Sequence, residues 1–304
     1  MVENEAGIHV RTRRLALTEG ITAGVLFGTA AIFIKFLESL DSFSIAFWRL
    51  IIACLTLAII LILVKKSFNF SLARKNLINL SILGFFLGLH FIFFISAVKD
   101  TTILNATVLV NTTPLFSMFI STFFLKLKPS SLALAGLIIS FIGVFVIAYA
   151  ETITANAVFS ANLRGDLEAV LAAFVEAIYL NYGMRIRERM DILSIMLPIY
   201  ILAAIIVGIL GIFITGKMLI IPNEATFLIP LIGLGLLPTA IAHTLYFSSL
   251  SNLKSFETAT MALLEPIGAT ILGTLLFHEI PTYLFVFGAV LILLGIFFVV
   301  KEKK

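Results

Sequence analysis

Two of the seventeen acidic residues, Glu176 and Glu265, lie in the middle of long apolar runs, and these are the positions where chemistry is most readily sought. A charge at the centre of a bilayer costs about 3 kcal/mol on insertion scales, so an ionisable group there normally faces a cavity or a partner. Such a carboxylate can pair with a cation or alternate between protonated and charged forms. Glu176 shares a helical face with Glu168, Ala172, Tyr179 and Gly183, a small and polar stripe on an oily background. Two readings fit it: a protonated acid bonded to a neighbouring helix, or a binding group. Glu265 precedes Pro266, whose missing N–H and ring clash loosen a helix and free carbonyls beside the carboxylate. Thr258, Met261 and Ala262 share its face. A second polar-proline element, Asn111-Thr112-Thr113-Pro114, lies 152 residues earlier. Those prolines fit packing kinks as well as site elements.

Other polar residues inside apolar runs are His90, His243 and Arg49. His243 has Thr239 and Tyr246 on its face. A histidine in a helical bundle is either a hydrogen-bonded structural residue or a proton handler that titrates in the physiological range. Arg49 fits a side chain snorkelling to the outer interface beside Trp48 and fits a substrate-binding group equally. Phe86, Phe93 and Phe94 flank His90, either as core packing or as an apolar binding wall.

These residues must be positioned by membrane helices. The chain is 61% hydrophobic and 12% charged, against roughly 45–50% and 25% in soluble domains. A soluble fold of this composition would expose too much apolar surface, which argues against a soluble enzyme, a nucleic-acid binder or a disordered chain. A bilayer core of about 30 Å needs roughly 20 apolar residues per helix. Such runs mark ten segments: 16–37, 42–64, 76–98, 101–124, 131–150, 163–184, 191–214, 227–249, 255–277 and 281–300. Barrel strands would be half this length and alternate in polarity. The first segment is too long for a signal-peptide core, so it reads as an uncleaved helix. Cys54 is the sole cysteine, which leaves no internal disulfide or cysteine-rich metal site; no cofactor or metal is expected.

Basic residues fall between the segments on alternate sides. With the N-terminus inside, the cytoplasmic face collects sixteen, among them Arg11, Arg13, Arg14, Lys65, Lys66, Arg74, Lys75, Lys254, Lys303 and Lys304. The other face holds four: Lys35, Lys99, Arg164 and Lys217. This bias places both termini in the cytoplasm of a multi-pass plasma-membrane protein.

Sliding the chain against itself by 152 residues superimposes Pro114 on Pro266, Pro129 on Pro281, Gly136 on Gly288 and Gly143 on Gly295. Composition alone gives about 0.1 proline coincidences at one offset, so the register points to duplication. After a small shift, Gly20 to Gly28 also resembles Gly165 to Ala173. Residues 1–152 and 153–304 then each hold five helices. An odd number makes the halves enter the membrane in opposite senses, the inverted repeat of secondary transporters, whose sites lie at the midplane. The expected fold is thus an all-α integral membrane protein of ten transmembrane helices in two inverted five-helix repeats.

The run from Ser248 through Lys254, Glu257 and Glu265 to Pro266, followed by Phe277-His278-Glu279, Pro281, Gly288 and Gly295, resembles the ten-helix EamA-type carriers of the drug/metabolite transporter superfamily. The first half repeats the pattern from Ala97 to Pro114, and Trp48-Arg49-Leu50 resembles the family's second-helix arginine. Lys126-Leu127-Lys128 departs from it where the second half has Glu279. The resemblance implies a carrier with a central cavity between the repeats, alternating access, and export of amino acids, other metabolites or toxic compounds. Glu176 is similar in place to the glutamate with which four-helix relatives exchange protons for cations, whereas Ala30 and Ala31 stand there in the first repeat.

The resulting expectation is a secondary transporter, not an enzyme, for amino acids or related small metabolites, proton-coupled through Glu176 or Glu265. Asn111, Thr112, Thr113, Tyr179, His90, His243, Tyr246 and Arg49 complete the expected substrate-binding set. The alternatives are a multidrug or cation exporter and, from other classes, an intramembrane enzyme or a channel. No His-Glu-x-x-His pair or cross-helix aspartate pair supports the enzyme, and no ring of polar residues supports the channel. No phosphate-binding loop occurs, so a gradient is the expected drive. The expected partners are a small-molecule substrate and the lipid bilayer, with no nucleic acid, in a monomer or homodimer.

Overall fold

The computed structural model describes residues 12–65, 68–154, 162–187, 189–222, 224–277 and 281–301. Arg11, Lys66, His278, Glu279, Lys303 and Lys304, which entered the charge pattern and the resemblance above, lie outside the described residues. Among those described there is no strand, and nine helices are long and apolar enough to cross a bilayer. They are α1 (Arg13–Lys35), α2 (Ser42–Leu63), α3 (Leu77–Asp100), α4 (Ile103–Phe123), α5 (Ser131–Ala150, continuing to Thr154), α6 (Leu163–Arg187), α7 (Ile192–Thr215), α8 (Thr226–Ser249) and α10 (Tyr283–Val300). Residues 255–277 form α9 from an α-helical, a 3₁₀ and a second α-helical piece in direct succession, completing ten.

Local sequence sets the ends of these helices. Asp41 caps α2 by accepting from the Ser44 N–H at 2.9 Å, and Asp191 caps α7 by accepting from Leu193 at 3.2 Å. Thr102 and Thr282 cap α4 and α10 in the same way. Leu55, Phe119, Phe145, Ile205, Phe213 and Phe287 all point outward and are largely exposed; on an apolar bundle these are the lipid-facing surface.

The register of 152 residues reappears as packing. α5 and α10 lie against each other with Gly136 opposite Gly295 and Gly143 opposite Gly288. Each contact is the other with its partners exchanged, which is what a two-fold axis relating antiparallel helices requires. A Cβ on Gly136 would stand 2.6 Å from the Gly295 carbonyl oxygen, and one on Gly143 would stand 2.6 Å from that of Gly288. Only glycine lets the backbones approach this closely. Ser140, between the two contacts, donates to the Ile292 carbonyl at 3.3 Å.

The fourth helix of each half is broken at matching places. In α4 the helix stops at Val110 and resumes at Thr113 next to Pro114. In α9 the 3₁₀ turn Ala262–Leu264 precedes Glu265 and Pro266. The prolines sit in the first turn of the resumed helices, where a missing N–H breaks no hydrogen bond. Polar side chains at these breaks are delivered to mid-depth of the bundle. α8 departs from regularity differently: Gly235–His243 is a π-helix containing Pro238, in which the Thr239 hydroxyl donates to the Leu234 carbonyl at 2.6 Å. Such wide turns commonly mark functional sites because they re-aim side chains. The matching part of α3 is regular α-helix.

Candidate functional site

α1, α2, α3, α4, α6, α8 and α9 line a narrow cavity of about 40 Å³. Six of the ten residues singled out from sequence line it: Arg49, His90, Asn111, Glu176, His243 and Glu265. Both central carboxylates therefore share one chamber, although they come from different helices of the second half.

Glu176 is held from the first half of the chain. Thr113, the first residue of the resumed α4 helix, donates its single hydroxyl proton to the Val110 carbonyl at 2.8 Å and keeps the same oxygen 3.3 Å from Glu176 Oε2. His90 Nδ1 lies 3.7 Å from the same oxygen and 3.1 Å from the Ala172 carbonyl. The carbonyl can only accept, so a bond there puts a proton on Nδ1. Glu265 accepts from the Asn111 amide at 3.3 Å. The break in α4 thus places one polar side chain beside each glutamate: the Asn111 amide at Glu265 and the Thr113 hydroxyl at Glu176. Both carboxylates are buried, at 6% exposure each.

Arg49 answers the choice left open by sequence. It is 1% exposed, so it does not snorkel to an interface. Its Nε donates to Thr239 Oγ1 at 2.8 Å, and its guanidinium carbon lies 3.8 Å over the centre of the Phe91 ring. The π-turn in α8 places Thr239 there, and Tyr200 fixes the turn by donating to the Thr239 carbonyl at 2.8 Å. Arg49 Nη1 has no hydrogen-bond partner among the described residues. Trp48 takes the peripheral position instead, donating to the Ile220 carbonyl. Stacking on Phe91 and one neutral hydrogen bond replace hydration for this cation, with an N–H to spare in a chamber that holds two carboxylates.

Aromatic rings close the remaining wall. His243 packs its ring 4.8 Å from Phe27 and 4.8 Å from Phe91 between centroids, and 5.8 Å from His90. Phe94 stacks parallel to His90 at 6.1 Å. Of the phenylalanines flanking His90 in sequence, Phe94 lines the chamber, while Phe86 and Phe93 pack against the core. Sequence reasoning missed Phe27 and Phe91, and no signal separates them from the other twenty-seven phenylalanines. Ala30, Val110 and Ala262 complete the lining.

The structure does not bring four of the expected residues into the lining. Thr113 stands just behind it, with its hydroxyl 3.3 Å from Glu176. Thr112 is half-buried and turns back to the Leu109 carbonyl at 2.6 Å. Tyr179 is fully buried against Phe247, with its hydroxyl 3.7 Å from Met196 Sδ. Tyr246 packs edge-on to Phe27, and its hydroxyl has no partner among the described residues. Helical spacing correctly puts Tyr179 on the inner face of α6, but a face three turns long meets several neighbours, and only the turn at Glu176 meets the chamber.

Polar contacts link helices at both ends of the bundle. At one end the Arg13 guanidinium donates to Glu257, to the Asn252 carbonyl at 3.3 Å and to the Val300 carbonyl at 2.8 Å. At the other, Arg164 pairs with Asp100 at 3.1 Å and Glu168 at 3.2 Å. There Thr101 also donates to Asp166 at 2.9 Å. A Cβ on Gly28 would stand 2.6 Å from the Glu265 carbonyl oxygen, so α1 and α9 cross almost in backbone contact beside the carboxylate.

Comparison with known proteins agrees with this architecture. The profile of the EamA-like transporter family matches the chain twice, over residues 15–149 and 163–301. An uncharacterized transporter of Archaeoglobus fulgidus is 26% identical over 95% of this chain and 96% of its own length. The uncharacterized transporter YdfC of Bacillus subtilis is 29% identical over 86% of this chain and 83% of its own. A solved crystal structure superposes with a TM-score of 0.77 at 19% identity, covering 94% of this chain and 96% of that one, which is a likeness of fold.

Proposed function

The chain belongs to the EamA-like transporter family, and on that premise we propose that it is a secondary carrier that exports small metabolites, amino acids foremost, by alternating access. The observation that carries this reading is that Glu176, Glu265 and Arg49, whose Nη1 has no hydrogen-bond partner among the described residues, line one chamber. An ammonium group pairs with the carboxylates and a carboxylate with the arginine fork, which recognises planar anions by two parallel hydrogen bonds. Phe27, Phe91 and Phe94 cover the apolar part of the substrate. Each group is weakly satisfied by the protein, so the gain comes when substrate enters.

Coupling follows from competition. A carboxylate that releases its proton accepts an ammonium group, and one that takes a proton releases it. His90, with its Nδ1 between Glu176 and the Ala172 carbonyl, is placed to pass that proton. The Arg13–Glu257 and Arg164–Asp100 closures act as the two gates, opened alternately as the five-helix halves rock. The basic bias puts the Arg13 end and both termini in the cytoplasm.

A second reading, export of organic cations, is favoured by one observation: two carboxylates line the chamber against a single arginine. Uptake and counterflow of labelled amino acids in proteoliposomes, with and without a pH gradient, separates the two. Saturable counterflow abolished by Glu265→Gln supports the amino-acid carrier. Absence of flux for every amino acid, with flux of organic cations, supports the second reading.

A further inference from the structure

A second cavity, of about 80 Å³, lies on the outer side of the α1–α9 crossing, between α1, α4, α5 and α9. Its walls are apolar: Ile32, Leu104, Val108, Val144 and Ile147 are among them, and Ile103 at its rim is exposed on the lipid-facing surface. Glu265 is the residue common to its lining and that of the central chamber. A buried carboxylate thus closes the inner end of a hydrocarbon pocket whose rim faces the bilayer.

The pocket exists because the two repeats are unequal. Under the shift that matches Gly20 with Gly165, Glu176 corresponds to Ala31, and under the 152-residue register Thr113 corresponds to Glu265. In the second half the longer Glu176 side chain stands at the matching position, 3.3 Å from Thr113. In the first half Ala31 leaves the matching space empty beside Glu265, and Ala31 lines the pocket. Packing cannot account for an acid at this place, since an apolar residue would fill it better.

We propose that this side pocket is a lateral binding site for an amphiphilic amine, with its ammonium group on Glu265 and its hydrocarbon tail along α4 and α5. Charge complementarity selects a cationic head, and the apolar walls select an alkyl tail over a second polar group. The bilayer concentrates such amines at the rim, so they reach Glu265 from the membrane. The inference rests on Glu265 being a cation-binding carboxylate of the central chamber.

The test is equilibrium photolabelling of the full chain in lipid nanodiscs with an octylammonium probe carrying a photoreactive tail, against its neutral octanol analogue. Adducts are expected on Thr107, Val108 and Ile147. Because hydrogen bonds to charged groups are the strong ones, the amine is expected to label these sites about tenfold more than the alcohol, and Glu265→Gln to remove that difference. Ala31→Leu, which fills the pocket and keeps the acid, is expected to lose the labelling as well, and serves if Glu265→Gln does not fold. Equal labelling by the neutral analogue, or adducts spread over outward residues such as Phe145 and Phe287, overturns the proposal. Labelling at equilibrium needs no turnover, so a failed carrier reading shows instead as intact labelling without counterflow.

Discussion

Alanine at Gly136 or Gly288 perturbs the α5–α10 seam in a way that the two-fold arrangement makes quantitative. A Cβ at Gly136 stands 2.6 Å from the Gly295 carbonyl oxygen and 2.9 Å from the Val299 nitrogen. At Gly288 it stands 2.8 Å from the Gly143 oxygen and 2.7 Å from the Ile147 side chain. Ordinary carbon–oxygen contact begins at about 3.3 Å, so the helices must retreat by roughly half an ångström or more. Overpacking of this kind costs about 1–3 kcal/mol, and alanine's better helix propensity returns up to about 1 kcal/mol. Each single variant is expected to lose about 1 kcal/mol net. One retreat relieves both contacts, so the double variant is expected to lose less than the sum. Thermal unfolding of the purified protein in detergent reads all three. Gly208→Ala is the control, because its nearest neighbours are Phe47 ring atoms at 3.3 and 3.4 Å that can turn aside. Wild-type melting of both single variants, or strict additivity in the double, refutes the close and symmetric seam.

Three other perturbations follow from the same geometry. Thr239→Val removes the acceptor of Arg49 Nε and the side-chain bond of the π-turn; a loss of about 1–3 kcal/mol in thermal unfolding is expected, and an unchanged melting temperature contradicts that role. Glu257→Gln weakens the Arg13 contact while the Lys254 N–H keeps an acceptor; a cysteine introduced at the buried Phe256 after Cys54→Ala is expected to react faster with a polar thiol reagent in this background, and equal rates argue against a gate. Arg49→Lys loses the planar stack on Phe91 and the fixed fork, so counterflow is expected to fall about tenfold, mostly through KM, whereas an unchanged KM removes Arg49 from the site.

Much of this architecture is legible in sequence, for definite reasons. Long apolar runs have one stable solution in a bilayer, so all ten helices fall within four residues of their expected bounds at the described ends. The 152-residue register is legible because proline and glycine punctuate backbone geometry, and Gly136, Gly143, Gly288 and Gly295 meet as symmetry demands. Glu176 and Glu265 are legible because a carboxylate at that depth is costly. The limits are equally physical. Arg49 lies two turns into α2, and nothing in α2 reveals that Phe91 and Thr239 are waiting to receive it. Periodicity assumes 3.6 residues per turn, so the π-turn at Gly235–His243 is invisible to it and the common face expected for Thr239, His243 and Tyr246 splits. His243 reaches the chamber, Thr239 turns to Arg49, and Tyr246 packs on Phe27. The side pocket arises from an inequality between repeats, Ala31 against Glu176, which is written in the sequence but acquires meaning only when α1 and α9 are seen to cross.

The claim that substrate and proton compete for the Glu176–Glu265 chamber is tested most directly by proton release on binding. An amino acid that supports counterflow is added to the purified protein in weakly buffered solution containing a pH indicator. The account predicts a saturable release of protons with the same concentration dependence as counterflow, lost in the Glu176→Gln, Glu265→Gln double variant and retained in Gly208→Ala. Saturable binding with no proton released, or release that survives in the double variant, contradicts it.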